Sequence, residues 1–269
     1  MMTLKKLYLG AILFFMYAPI MLLMVFSFNA SRSRNTWGGF TLDWYRQLFT
    51  DHNIMRALQT TVLVAIFATV LSVIIGTLAA VSVDKFSKRK KRAILTVSKL
   101  PVMMPDIVTG LTLMILFLFA FRAIGFGRLG FGTLLLAHVI FNVPYVILSV
   151  LPKLRQLDAN LYEAALDLGS SPLRAFVQVI LPEIWPGVVT GAMLAFTLSV
   201  DDFMVSFFTT SPAAQNLSIL IFSMTRRGVD PRINALSTLI FIVIMLMLFF
   251  INKRDKQLIR RQQEQEYGD

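Results

Sequence analysis

The chain has 269 residues, of which 56% are hydrophobic, and its mean hydropathy is +0.69. An ordinary soluble domain is about 45–50% apolar, so a single soluble core could not bury this much apolar surface. Cysteine is absent, which excludes disulfides, thiolate metal sites and cysteine nucleophiles. The net charge is +11, and the charged residues are confined to a few segments separated by apolar runs. The basic excess therefore indicates membrane topology rather than nucleic-acid binding.

Six apolar runs follow one another along the chain, each close to the ~20 residues that a helix needs to cross hydrocarbon. They lack the strict alternation of barrel strands, so each run predicts an α-helix. The predicted spans are residues 7–28, 61–83, 100–121, 129–151, 184–208 and 233–251. We therefore expect an all-α membrane protein with a transmembrane domain over residues 1–252 and a cytoplasmic C-terminal tail over residues 253–269.

The distribution of basic residues predicts the orientation of these spans. Most of the 26 Lys and Arg residues lie before the first span, after the second, after the fourth and in the tail. Basic residues are enriched in cytoplasmic loops, so both termini are predicted to be cytoplasmic. The basic cluster at residues 88–92 is interpreted as a topology anchor, with contact to acidic lipid as the alternative.

The longest predicted cytoplasmic segment, residues 152–183, has the pattern of two helices joined by a tight corner. Asn160 can cap the first helix, with Glu163 in the capping-box position, and Gly169 is a natural C-terminal stop. Pro172 suits the first position of the second helix, directly after a Ser N-cap. We expect this second helix to be broken by the two prolines that follow, Pro182 and Pro186.

Part of this segment, residues 158–183, resembles the EAA loop of the permease subunits of ABC importers. The sequence reads E-A-A, three residues, G, nine residues and V-I-L-P, and it departs from the family pattern only by Val179 in place of Ile. In that family the loop is a rigid knob that sits in a socket of the ATP-hydrolysing subunit. The resemblance implies coupling to the ATPase through Glu163, Ala164, Ala165, Gly169, Leu181 and Pro182.

Several other segments resemble the permeases of polyamine importers: residues 17–20, 40–45, 105–108 and 196–202. The resemblance implies a type I ABC importer permease fold with cytoplasmic coupling helices, located in the bacterial inner membrane. It also implies four kinds of partner: a second permease subunit, a dimer of ATP-binding subunits, an extracytoplasmic polyamine-binding protein and the lipid membrane. A permease for another small solute of the same family and a self-sufficient secondary transporter are the alternatives.

Three acidic residues, Asp106, Asp201 and Asp202, lie in or at the edge of apolar spans. An ionisable group at membrane depth usually faces a bundle interior, a wet cavity or a partner. These carboxylates could line a pathway for a polyamine cation, or they could cap helices and lie at the interface. We favour Asp202 and Asp106 for the pathway, because adjacent helix residues point about 100° apart and only one of Asp201 and Asp202 can face it squarely.

The chain lacks the residues that would make it an enzyme. Its two histidines, His52 and His138, fall on different segments, so no catalytic cluster or metal site can be assembled around them. No G-x-x-x-x-G-K-[ST] sequence occurs, so ATP is expected on the partner subunit and no cofactor on this chain. His138 and Asn142 share one helical face, for which hydrogen bonds between packed spans are favoured over a proton relay.

Overall fold

The computed structural model describes residues 2–33, 35–84, 86–158, 160–226, 230–243 and 245, and they form an assembly of helices. Within these ranges, backbone pairing of the β type is limited to one isolated bridge between Asn29 and Phe40. The helices are α1 (Met2–Ser27), α2 (Asp43–Thr50), α3 (His52–Asp84), α4 (Lys88–Met103), α5 (Asp106–Ile124), α6 (Phe131–Leu154), α7 (Leu161–Asp167), α8 (Pro172–Ala175), α9 (Leu181–Asp201), α10 (Met204–Thr209), α11 (Leu217–Arg226) and α12 (Pro231–Val243).

Five helical segments of the described chain are long and apolar enough to cross a membrane. They are Lys6–Ser27, His52–Asp84, Asp106–Ile124, Phe131–Leu154 and Pro172–Asp201. The sixth predicted span, 233–251, coincides in part with α12, which is apolar but shorter than a full crossing. Most of residues 244–251 and the predicted tail at 253–269 lie outside the described residues.

The third predicted span, 100–121, contains a helix break near its start. Met104 adopts an extended backbone, with φ −85° and ψ 146°, and separates α4 from α5. This conformation is the one that a following proline favours, and Pro105 follows. The apolar span therefore begins at Asp106, and it ends where Gly125 takes a left-handed conformation with φ 84°.

The helices at the fifth predicted span, 184–208, have other boundaries at both ends. The helix stops at Asp201, Asp202 is extended, and α10 begins at Met204. At the other end, Pro182 and Pro186 do not interrupt the helical structure. A π-turn over Phe176–Ile180 joins α8 to α9 without a gap. In this turn the Leu181 N–H bonds to the Phe176 carbonyl, one residue further back than in an α-helix.

The larger compact unit comprises Arg56–Leu220, and its main packing is between α6 and α9. Small residues four apart on α9 allow this approach, because a Cβ on Gly187 would lie 2.9 Å from the Ser149 carbonyl oxygen and one on Gly191 only 3.2 Å from the Val146 Cα. Around this contact lies an apolar cluster that includes Val146, Val150, Ile184 and Val188.

The smaller unit comprises Met1–Met55 with Ile221–Asp269, as far as these residues are described. Asn29, which is 1% exposed, organises the loop after α1: its side-chain oxygen accepts from the Gly38 N–H at 2.8 Å, and its side-chain nitrogen donates to the Thr36 carbonyl at 2.9 Å. The indole of Trp44 donates to the Asn29 carbonyl at 2.8 Å, which fastens α2 to this loop.

Candidate functional site

The corner between α7 and α8 is built on the backbone of Gly169. Its φ of +87° is left-handed, and nothing lies within 4 Å of the position that a Cβ would take. The Ser170 N–H bonds to the Ala165 carbonyl at 3.1 Å and the Gly169 N–H bonds to the Leu166 carbonyl at 2.9 Å, which closes the end of α7. The predicted helix stop at Gly169 is confirmed, and its cause is backbone conformation rather than lack of space.

The predicted capping box at the start of α7 is wrong. Asn160 has a helical backbone, with φ −88° and ψ −9°, and its side chain makes no cap hydrogen bond. A side-chain cap requires an N-cap residue outside the helical region. Instead, the Asp158 carboxylate accepts the Asn160 N–H at 2.9 Å, so the turn before α7 is held by a residue two positions earlier.

The tip of the corner exposes large apolar side chains that the sequence analysis did not single out. Leu168 is 88% exposed and Leu173 is 73% exposed, one on each side of Gly169. Glu163 and Ala164 are exposed beside them, whereas Ala165 is buried. Exposed apolar residues that cluster at a protruding corner are typical of a surface that another protein covers. The sequence did contain a signal for these exposed residues: Leu168 directly precedes Gly169, and Leu173 directly follows Pro172.

The base of the corner is fixed to the membrane helices by apolar packing. Leu161 of α7, Phe176 of the π-turn and Leu181 of α9 pack against the cluster that contains Val150 and Ile184. Pro182 lies exposed in the first turn of α9. The predicted coupling residues are therefore divided between an exposed tip and a base that packs on α6 and α9.

Asp202 is the centre of a buried polar cluster and is 9% exposed. One carboxylate oxygen accepts the Ser206 N–H and the Ser206 hydroxyl, both at 2.7 Å, and the other accepts the Val205 N–H at 3.2 Å. These donors are at the start of α10, so the Asp202 side chain caps that helix and explains why α9 ends one residue earlier. The His138 Nε2 lies 3.6 Å from the same carboxylate.

Other polar groups complete the cluster. The Asn216 side-chain nitrogen donates to the Asp202 carbonyl at 3.1 Å and to the Ser206 hydroxyl at 2.8 Å. Asn142 on α6 donates to the Ser199 hydroxyl on α9 at 2.7 Å, which confirms the predicted hydrogen bond between packed spans. The His138 Nδ1 instead contacts the Leu134 carbonyl of its own helix at 3.0 Å.

Asp106 and Asp201 are exposed, in contrast to Asp202. Asp106 opens α5 directly after Pro105, and Asp201 closes α9. The two carboxylates are within electrostatic range of each other, and Asp106 is also within range of the half-buried Tyr145 on α6. The structure thus brings the three predicted acids into one region but gives only Asp202 a set of hydrogen-bond donors. Of the residues described, none form a group of three His, Asp or Glu that could hold a metal ion.

Comparisons with known proteins give consistent relatives. Residues 72–254 match the model of the family described as binding-protein-dependent transport system inner membrane component. The putrescine transport system permease protein PotI of Escherichia coli (strain K12) is 39% identical over 260 residues, which cover 94% of this chain and 92% of PotI. The spermidine/putrescine transport system permease protein PotC of the same strain is 36% identical over 241 residues, covering 90% of this chain and 89% of PotC.

Solved structures share the fold at low sequence identity. A bacterial alginate ABC transporter in complex with an alginate pentasaccharide-bound periplasmic protein matches with a TM-score of 0.71 at 18% identity, covering 94% of each chain. An inward-facing form of the MetNI methionine ABC transporter matches with a TM-score of 0.55 at 18% identity, covering 80% of this chain and 97% of that one. At this identity, the likeness establishes the fold alone.

Proposed function

Since the chain belongs to the family of binding-protein-dependent transport system inner membrane components, it is a permease subunit of an ABC importer rather than an enzyme, and we propose that it carries polyamines such as putrescine and spermidine. The observation that carries this proposal is identity of 36–39% over at least nine-tenths of the chain to permeases named for these substrates. A permease for another small solute is the alternative, because a transporter named for methionine shares the fold. The family membership disfavours a self-sufficient secondary transporter.

The proposed coupling device is the corner formed by α7, α8 and the π-turn. Its exposed tip, with Glu163, Leu168 and Leu173, would fit a socket on the ATP-hydrolysing subunit. Its base packs on the cluster around Val150 and Ile184, so a displacement of the tip would be transmitted to α6 and α9. The residues assigned to this contact remain those inferred from the sequence, with Leu168 and Leu173 added.

The proposed assembly contains this chain, a second permease subunit, two ATP-binding subunits and an extracytoplasmic polyamine-binding protein. ATP is assigned to the partner subunits, and both termini of this chain are assigned to the cytoplasmic side. The basic segments on that side support this orientation.

The proposed pathway for the polycation uses negative charges that bind it only weakly. A channel wall must compensate a charged substrate during passage and still release it. Asp106 and Asp201 suit this role, because both are exposed and lie within electrostatic range of each other. Asp202, which its position in the sequence favours for the pathway, contributes in this proposal as the buried carboxylate that shapes the junction of α9 and α10.

Uptake by the reconstituted complex tests the substrate. The assembled importer in proteoliposomes, with its binding protein outside and ATP inside, should accumulate labelled putrescine or spermidine. Omission of ATP or of the binding protein should abolish the signal. If neither polyamine is accumulated while ATP hydrolysis is intact, the polyamine assignment is wrong and another solute of the family is the substrate.

A further inference from the structure

We propose that α4 carries a binding site for the phosphate headgroup of an anionic phospholipid in the leaflet on the coupling side of the membrane. The assignment of this leaflet to the cytoplasmic side rests on the proposed orientation. The binding site itself rests on the charge and shape of α4 and of the end of α6. It is a more specific role than the topology anchor predicted for residues 88–92.

A groove of about 350 Å³ runs along one face of α4. Its lining contains four basic residues of that helix and Arg155, which directly follows α6. Among the residues that the structure describes, no carboxylate lines this groove, so its charged lining is basic throughout. The basic residues of α4 that line it are Lys88, Lys91, Arg92 and Lys99.

Most of this positive charge is not compensated within the chain. Lys91 pairs with Asp84 at the end of α3. Over the residues that the structure describes, no ion pair is formed by the other four basic residues of the groove: Lys88, Arg92, Lys99 and Arg155. Cations held close together repel one another, so an anion that enters between them is favoured. Phosphate, with several acceptor oxygens, forms strong charge-assisted hydrogen bonds with Arg and Lys.

A second groove of about 580 Å³ beside α4 shares Lys88 and Arg92 with the first. Its lining becomes apolar further along the helix, at Ala93 and Val97. Val97 is 64% exposed and Leu100 beyond it is 51% exposed. From Arg92 to Val97 the helix rises about 7.5 Å, which is comparable to the roughly 5–7 Å of one headgroup layer.

This order of charge and then apolar surface favours a lipid over a free anion. A lipid places its phosphate among the basic residues and its acyl chain against the aliphatic side chains that follow. A soluble phosphate would use only the first part of the surface. An acidic protein surface would leave Val97 and Leu100 without a suitable partner.

The site is adjacent to the base of the proposed coupling corner. Leu95 of α4 packs against the same apolar cluster as Leu154 of α6 and Leu161 of α7. Leu95 also lines the first groove. A lipid bound there would contact a helix that supports the corner, so its loss is expected to be measurable in the whole complex.

Native mass spectrometry of the purified complex, titrated with phosphatidylglycerol or phosphatidylcholine, tests the proposal. Phosphatidylglycerol should bind more tightly than phosphatidylcholine, and each of Lys88→Gln, Arg92→Gln and Arg155→Gln should weaken it about fivefold. Lys90→Gln is the matched control, because Lys90 is exposed on the same helix and lines neither groove. Arg155→Lys keeps the charge and should retain most of the affinity.

Four outcomes would overturn the proposal. Equal binding of the two lipids, or an equal loss in Lys90→Gln, would leave only a non-specific basic surface. Displacement of the lipid by millimolar inorganic phosphate would identify a free-anion site. If the neutralised variants lose the ATP-binding subunit during purification while they remain folded by thermal unfolding, the grooves belong to a subunit interface.

Discussion

At the scale of single residues, Asp202 connects several parts of the larger unit through one carboxylate. It caps α10, faces His138 of α6 and is held by Asn216 through its backbone carbonyl. The Val205 and Ser206 donors now share the Asp202 carboxylate. In Asp202→Asn they would face either an amide NH₂ or an amide oxygen, which is a weaker acceptor. We expect a loss of about 1.5–3 kcal/mol in stability, measured as a lower thermal unfolding midpoint of the purified complex.

The adjacent Asp201 supplies the control for this experiment. Asp201 is exposed and lacks the donors that surround Asp202, so Asp201→Asn should leave the unfolding midpoint nearly unchanged. Equal destabilisation by the two substitutions would contradict the capping role of Asp202.

Asp106 allows a test of charge without a structural side effect. Asp106→Asn keeps the shape of an exposed side chain, so assembly should be normal while the rate of polyamine uptake per complex falls severalfold. Asp43→Asn is the matched control, because Asp43 is also an exposed acid in the first turn of a helix, α2. Unchanged uptake in Asp106→Asn would remove this carboxylate from the pathway.

An ion-pair cluster in the smaller unit predicts a pH dependence. Arg232 contacts Asp51 at 2.8 Å and Asp230 at 2.6 Å. Burial raises the pKa of Asp230, but the hydrogen bonds and charge of Arg232 outweigh it, so the net pKa lies below its ordinary value. A lowered folded-state pKa means that the stabilisation is complete above the unfolded value of about 3.9 and is lost as the pH falls through the folded one.

The difference in stability between the wild type and Arg232→Gln should therefore be constant from about pH 8 to pH 5 and should shrink only below about pH 4. Thermal unfolding of both proteins across this range measures it. A difference that declines already between pH 7 and pH 5 would show that another group controls the cluster.

The sequence identified the three acids but not their environments, for a physical reason. Asp201 and Asp202 are adjacent and chemically identical, so no local pattern distinguishes them. Their burial is decided by residues far along the chain, since Asp202 is enclosed with His138 and Asn216. Long-range packing of this kind cannot be read from the periodicity of one helix.

At the scale of elements, the corner at Gly169 was predictable because its cause is local. A helix end followed by glycine, and a second start with proline, specify the turn without tertiary information. The π-turn over Phe176–Ile180 was not predictable, because its residues continue an apolar helical pattern without interruption. The break before Asp106 had a local signal in Pro105, but the apolar run across it concealed the boundary.

Gly169→Ala tests the corner, and Gly125→Ala is its matched control. Both glycines are left-handed, with φ of +87° and +84°, and neither has an atom within 4 Å of the place where a Cβ would lie. Each substitution should cost about 1–2 kcal/mol of backbone strain. Only Gly169→Ala should reduce the polyamine transported per ATP hydrolysed, since Gly125 lies between α5 and α6. Equal coupling ratios in the two variants would contradict the assigned role.

At the scale of the whole molecule, the orientation is open to a direct test. The basic residues predict cytoplasmic termini, and the loop between α5 and α6 would then face the other side. A reporter that is active only in the periplasm should be silent when fused after Asp269 and active when inserted after Gly127. Activity after Asp269 would reverse the orientation and also place the corner at Gly169 on the wrong side for an ATPase.

The family and fold were accessible from sequence because a membrane imposes strong rules on composition and because the corner motif has fixed spacings. The number of crossings was less accessible: five segments qualify by length and composition, and α12 is shorter than a full span in the described residues. Apolar length alone overestimates where a helix continues, since Pro105 and the Asp202 cap each divide one apolar run into two helices.

The π-turn has a further consequence for the direction in which the corner points. Because it holds one more residue than an α-helical turn, it acts as a phase offset of about 100° between α8 and α9. The same residues in an uninterrupted α-helix would point Leu173 about 100° away from its present direction and about 1.5 Å further from α9. Removal of one residue such as Val177 would therefore let this turn close as an ordinary α-helical turn and would leave the direction of the tip unchanged.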